Sequence, residues 1–478
     1  MKKVFLAVLI VLLATTVWAG TYDPTLSCPT ELTTKAERER GYEVCGKPLV
    51  AFDISGEFSA EGLYFDNYAL RSDNTVTNAF YRGYVSLFPK LTIGDKTSII
   101  MKVDMRDETW GDKSAYGTDD PDVWPYKYTS SASTTSIPST PSNDNINIER
   151  AYLSHRFGEN TSLDVGLMSG QWWATTFTDY TQPRYRIKVV QKTPVGAIGA
   201  LVEKGGELGD PNVKNSEKDD YDGYAIFGVT RAGTVNIKPL IFYVDRSSSV
   251  PTASSDGVQV LYLSLGLDGL LGPLRFESEL VYRDQNFKDL RALSAVNPLY
   301  TLAEDAAVYG AYLNAWMPMD FGNAGLTLTY CSWDDEGGAF GSGYGLDTRQ
   351  DFEANIILGD EIGFGSAAFQ SAEDLLGMTM VKPYISGVRL MDKLTCDASF
   401  AYIMSNQDAF SATVAAAVGP NRFEDATAWE LDLGLNYRIT DYLTYMIDGG
   451  YASISYDVTG FDDPDPVMLL KHELLLTF

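Results

Sequence analysis

From Thr427 to Tyr456 the chain alternates between apolar and polar positions. Trp429, Leu431, Leu433, Leu435, Tyr437 and Ile439 fall on every second residue, with Glu430, Asp432, Gly434, Asn436 and Arg438 between them. Side chains change face at each step along a β-strand, so this spacing predicts a strand with one oily and one charged face. After the polar link Thr440-Asp441, a second strand runs through Leu443, Tyr445, Ile447 and Tyr451, with Thr444 and Asp448 on its other face. Aromatic residues stand near the strand ends, where an amphipathic ring is favoured at a membrane–water boundary.

The rest of the chain repeats this pattern. It begins at Leu49, where Phe52, Ile54, Phe58 and Ala60 alternate with Asp53, Ser55, Glu57, Ser59 and Glu61. Copies follow at Ala79–Leu87, Ile99–Met105, Ile146–Leu167, Arg184–Val189, Tyr221–Arg231, Val235–Arg246, Val258–Leu267 and Leu274–Asp284. Others lie at Ala307–Met317, Leu326–Trp333, Asp351–Leu358, Met380–Leu390 and Thr395–Met404, and the last ends at Phe478. The links alternate in length. Ala232-Gly233, Met391-Asp392-Lys393 and Thr440-Asp441 are short, whereas Gly205–Asp219, Asp284–Asp305, Asp334–Gln350 and Asn406–Ala426 are long.

In hydrocarbon no backbone N–H or C=O finds water, so only helices or closed sheets can span it. The pattern therefore predicts an all-β fold, a closed antiparallel transmembrane β-barrel of about 16–20 strands, an even number, with short periplasmic turns and long extracellular loops. A barrel this wide is not filled by its own side chains, so its polar face is expected to line water.

Composition narrows the picture. The chain has 478 residues, is 45% hydrophobic and carries a formal charge of -27, so nucleic acid is not an expected partner. Lys2-Lys3, the apolar run Val4–Val17 and Ala19 read as a secretory signal, cleaved after Ala19. Residues 1–19 are then the signal peptide, 20–48 a polar periplasmic extension and 49–478 the barrel. Thr34-Lys35-Ala36-Glu37 fits a capping box opening a short helix in the extension. Cys28 and Cys45 are candidates for a disulfide in an oxidising compartment, while Cys331 and Cys396 fall inside strand-like runs. With two histidines and no Cys-x-x-Cys-His, no haem, metal or other cofactor is expected. Ser154 and His155 are neighbours on opposite faces of a strand and cannot act on one substrate, so no enzyme is expected.

The exported start, the alternating strands and the terminal Phe478 resemble Gram-negative outer-membrane porins. Leu474, Leu476 and Phe478 are similar to the terminal signal read by the barrel-assembly machinery in that class. Glu149-Arg150-Ala151-Tyr152-Leu153 resembles strand wording of substrate-selective porins and alginate-exporter-like barrels. The resemblance implies outer-membrane localisation among lipid and lipopolysaccharide, passive diffusion of small hydrophilic solutes, and a homotrimer. A polysaccharide exporter and a sheath around a partner protein are the alternatives.

Two candidate linings follow from strand parity. Arg82, Lys102, Arg106, Arg150, Arg184, Arg186 and Lys188 fall on inward positions in the first third of the barrel. Inward acids are Asp53, Glu57, Glu61, Glu277, Glu279, Glu430, Asp432 and Asp448, and closure brings Asp53 and Glu57 to the side of the last strands. Either a basic ladder faces an acidic wall and orients solutes by a transverse field, or the charges pair along a hydrated wall. The loop Thr109–Asn145 is expected to fold inward and narrow the lumen. Trp124, Tyr126, Tyr128, Trp172 and Trp173 are candidates for a sugar-stacking slide or for loop packing.

Overall fold

The computed structural model describes residues 43–44, 47–48, 50–66, 78–110, 146–168, 173–178, 183–206, 221–246, 258–287, 301–335, 337–338, 344–346, 352, 354–358, 370–371 and 374–478. Eighteen strands close into one antiparallel barrel. They are β1 (Val50–Asp66), β2 (Asn78–Ile93), β3 (Thr97–Trp110), β4 (Ile146–Phe157), β5 (Thr161–Met168) and β6 (Arg184–Thr193). Then come β7 (Gly196–Gly206), β8 (Tyr221–Ala232), β9 (Val235–Arg246), β10 (Val258–Leu271), β11 (Leu274–Asn286) and β12 (Ala306–Met319). The last six are β13 (Gly322–Cys331), β14 (Met378–Met391), β15 (Leu394–Ser405), β16 (Thr427–Arg438), β17 (Leu443–Ser455) and β18 (Val467–Thr477).

Every strand pairs with its neighbours in sequence, and β18 closes the ring onto β1 with Leu474 opposite Ala60 and Leu476 opposite Phe58. The Gly56 amide donates to the Phe478 carbonyl and the Phe478 amide to that of Gly56, both at 2.9 Å, and Ser59 Oγ donates to Glu473. Connections at one end are tight, as at 233–234 and 272–273. There Gly233 (φ 63°) and Gly272 (φ 65°) supply the left-handed backbone that a two-residue hairpin of matching twist requires. The other end carries all the long connections, one of which holds the short helix α1 (Ala412–Val418).

The outer face is apolar in the middle and aromatic at the rims. On β16, Leu431 and Leu433 are 53% and 55% exposed between Trp429 and Tyr437. Those two rings stand eight residues apart, or roughly 26 Å of strand at about 3.3 Å per residue, which at a tilt of about 40° rises about 20 Å, close to the apolar band of a membrane barrel. At the long-loop rim Trp429 lies against Phe400 and Tyr451, and Tyr309 against Tyr330. His155 and His472 also face outward, His155 bonded to Thr97 Oγ1 at 2.8 Å and His472 set between Tyr81 and Tyr445.

The inner face is divided. Along β1–β7 it is polar, but on the long-loop half of β11–β18 it is apolar and buried, with Val281, Val308, Met380, Ile403, Ile454 and Leu469. These residues meet Phe177, Leu346, Phe352, Ile357 and Leu358 from connections folded into the lumen. Of Asp351–Leu358, expected as a strand, the described residues 352 and 354–358 thus form a bent segment inside the barrel. Its apolar residues face the inner wall, a burial that periodicity alone does not separate from a strand's. Of the expected inward loop, residues 111–145 lie outside the described ones, as do Trp124, Tyr126, Tyr128, Trp172, the helix near Thr34, and Cys28 with Cys45.

Candidate functional site

Two segments enter the lumen from the long-loop end. Residues 173–178 come from the connection between β5 and β6, and residues 352 and 354–358 from that between β13 and β14. Their rings meet where Phe177 packs edge-on against Phe352 at 5.8 Å, and both contact Tyr312 of β12. A segment without helix or sheet carries unpaired backbone groups into a dry place, where each needs a partner. The inward acids supply them.

Glu430 is fully buried and accepts the amides of Ile357 (2.6 Å) and Leu358 (2.7 Å). Asp432, two residues on along β16 and on the same face, accepts that of Ile356 at 3.2 Å. On the other flank Lys382 Nζ donates to the Ala354 carbonyl at 2.6 Å, and Ser399 Oγ donates to the Asn355 side chain at 2.9 Å. Glu279, also fully buried, performs the same service for the first segment, accepting the Thr175 amide (3.2 Å), the Thr175 hydroxyl (2.6 Å) and the Ser264 hydroxyl. Glu279 and Glu430 therefore face inward, as strand parity requires, but they hold loop backbone and do not meet lumen water. Parity reports the face of a residue and not what covers it. Trp173 belongs to the same construction, donating to the Lys238 carbonyl at 3.0 Å and packing on Phe227.

The wall of β3–β10 is laced by ion pairs, most of them between adjacent strands. Lys102 meets Glu149 (2.6 Å) and Asp104 (3.2 Å), Arg186 meets Glu203 (2.7 Å), and Lys188 meets Asp164 (3.0 Å). Lys238 meets Asp268 at 2.7 Å. A bulge explains the Lys102 contact. Lys102 pairs with Arg150 and Val103 with Ile148, so Glu149 is the extra residue and turns toward the lumen beside Arg150. The buried Nε of Arg150 has no hydrogen-bond partner among the described residues, and Arg184 donates to the Pro183 carbonyl at 3.3 Å. Arg82 and Arg106 lie on β2 and β3, Arg82 opposite Glu61 in the register, but their side chains fall outside the described residues.

The remaining acids are spread over β11–β1. Glu277 accepts from Asn314 at 3.0 Å and from Tyr312 at 3.3 Å. Asp448 stands beside Gly434, Glu61 and Glu473 approach Lys471 at 3.8 and 3.6 Å, and Asp53 is exposed opposite Lys90 near the start of β1. Glu57 is opposite Ser86 in the register. Leu474, Leu476 and the exposed Phe478 face outward on the closing strand, as their alternation requires. Below the segment 352–358 a cavity of about 380 Å³ opens on the β12–β17 wall, lined by Asn314, Lys382, Tyr384, Asp397, Asp432 and Asp448 among others.

Fold and lumen together define a wide transmembrane barrel narrowed by its own loops. Among solved structures it is similar to OccK8 (OprE) of Pseudomonas aeruginosa, at 12% identity and a TM-score of 0.49 over 89% of this chain and 98% of that one. OccAB3 of Acinetobacter baumannii matches at 10% identity and 0.48, over 89% of this chain and 100% of that one. Pseudomonas aeruginosa OpdK, solved with vanillate, matches at 11% and 0.48, over 89% and 99%. No protein-family model matches the chain, and no curated protein does.

Proposed function

We propose that the chain is an outer-membrane porin, a passive water-filled channel for small hydrophilic solutes and not a catalyst. The observation that carries this is the division of the inner face. One side is a polar, ion-paired wall along β3–β10, and the other is closed by two anchored segments that leave a polar cavity beneath them. Charged side chains facing inward across most of a sheet whose outside is apolar belong in water, and a selective passage needs a narrowing in that water. A sheath around a partner protein needs an open lumen, and here the segments occupy it.

Export by a signal cleaved after Ala19, insertion guided by Leu474, Leu476 and Phe478, a neighbourhood of lipopolysaccharide and a homotrimeric assembly belong to the same proposal. The solute preference is set by the wall, where Arg150 stands on β4 and Arg184 on β6, and by the cavity lined by Asp397, Asp432 and Asp448.

The test is single-channel recording of refolded protein in a planar bilayer. Stable ohmic steps are expected, with a reversal potential under a salt gradient that gives the sign of the selectivity. Silence from a folded barrel would overturn the proposal. Neutralising Arg150 and Arg184 together, as Arg150→Gln and Arg184→Gln, is expected to shift the reversal potential toward cations. An unchanged potential would remove those two residues from the selectivity account.

A further inference from the structure

The charges around residues 354–358 go beyond what a lining needs. The amides of Ile356, Ile357 and Leu358 follow one another, and all three end on carboxylates of β16. The carbonyl at the other end of the same bend, that of Ala354, ends on the Lys382 ammonium of β14. A short piece of backbone is thus gripped by carboxyl groups at its N–H groups and by an ammonium at its C=O. Apolar packing of Phe352, Ile357 and Leu358 holds it as well, but such contact is non-directional and does not fix its position.

We propose that Glu430 is the latch that sets the width of the passage. It is a positioning residue, and the inference rests on the channel reading above. A carboxyl group buried away from water is tolerated only while hydrogen bonds replace its hydration, and the amides of Ile357 and Leu358 supply two of them beside the neighbouring Asp432. The amides in turn are buried only while the carboxylate accepts from them. If the segment swings out of the lumen toward the long-loop rim, water satisfies both partners at once. Grip and burial therefore stand or fall together, which makes the segment an element with two arrangements. Removing the acceptor leaves buried amides unpaired, so the hydrated arrangement takes over and the passage widens. Contact of Phe352 with Phe177 passes the change to the segment that Glu279 holds.

The experiment compares single-channel conductance of the wild-type chain, Glu430→Ala and Glu430→Gln in planar bilayers, with heat-modifiable migration as the check on folding. Glu430→Ala is expected to raise conductance by about twofold or more, with larger open-channel noise, because current scales with the open cross-section. Glu430→Gln, which keeps the shape and one acceptor, is expected to fall between. Should Glu430→Ala not assemble, Glu430→Gln and Lys382→Met, which frees the other end of the bend, carry the same expectation.

A rescue separates a latch from a general loosening. Asn355→Cys with Ser399→Cys, in a chain whose native cysteines are replaced, sets two thiols where the side chains now meet. A short bis-thiol cross-link there is expected to return the Glu430→Ala channel to wild-type conductance, and cleaving it to reverse the effect. Folded variants with wild-type conductance, or a cross-link without effect on a widened channel, would overturn the latch. A wild-type barrel that does not conduct would instead overturn the channel reading.

Discussion

Leu433→Arg will lower the stability of the barrel by roughly 2–4 kcal/mol, the cost of a guanidinium near the bilayer midplane on a lipid-facing strand position. Leu433 is 55% exposed on the outer face of β16, midway between the rings of Trp429 and Tyr437, where nothing polar is at hand. Tyr437→Arg on the same strand is the control, because near the interface the same charge costs about 0–1 kcal/mol. Unfolding by denaturant in lipid vesicles measures both. Equal losses at the two positions would mean that the apolar band is not where the Trp429–Tyr437 spacing sets it.

Arg186→Glu will be the costliest change on the lumen wall. Arg186 and Glu203 meet at 2.7 Å with side chains 15% and 4% exposed, so the pair is largely withdrawn from water. Breaking such a pair by removing one partner costs roughly 3–5 kcal/mol when buried, and the lower end is expected beside a hydrated lumen. The reversed charge adds repulsion of Glu203. The double exchange Arg186→Glu with Glu203→Arg restores attraction across the same two strands and should recover most of the loss. A double-mutant cycle with no coupling would show that the two groups act independently.

Much of this architecture was legible in the sequence because a membrane barrel leaves a two-fold imprint. Its strands must alternate to satisfy lipid outside and water inside, and its links must alternate because one rim faces the assembly side. Leu431 and Leu433 outside and Glu430 and Asp432 inside β16 follow directly from the spacing. What did not follow was the content of the lumen. Residues 352–358 contain the same mixture of apolar and polar residues as a strand, and their burial depends on Glu430, more than seventy residues later. A local pattern cannot carry that pairing. Likewise, Glu149 gave no sign that a bulge would turn it beside Arg150 toward Lys102. The ion pairs were among the two arrangements the parity allowed, but which acid meets which base is a matter of register. The segment 173–178 leaves a fainter trace, for in the sequence Trp173 is one of several loop aromatics.

Closure of the ring links the chain's opposite ends in time as well as in space. The hydroxyl of Ser59 reaches Glu473 across 414 positions of sequence, and Gly56 exchanges two bonds with the final residue. Hairpins between successive strands involve local contacts and form early, whereas this last pairing has the highest contact order in the molecule. Until it forms, β1 and β18 are both open edges, prone to recruit a neighbouring chain and intolerable in lipid. Pairing of β18 with β1 is therefore the step that makes the sheet fit for lipid. A chain without β18 has partners for its other strands but cannot close the ring, and the edge left open is not tolerated in lipid.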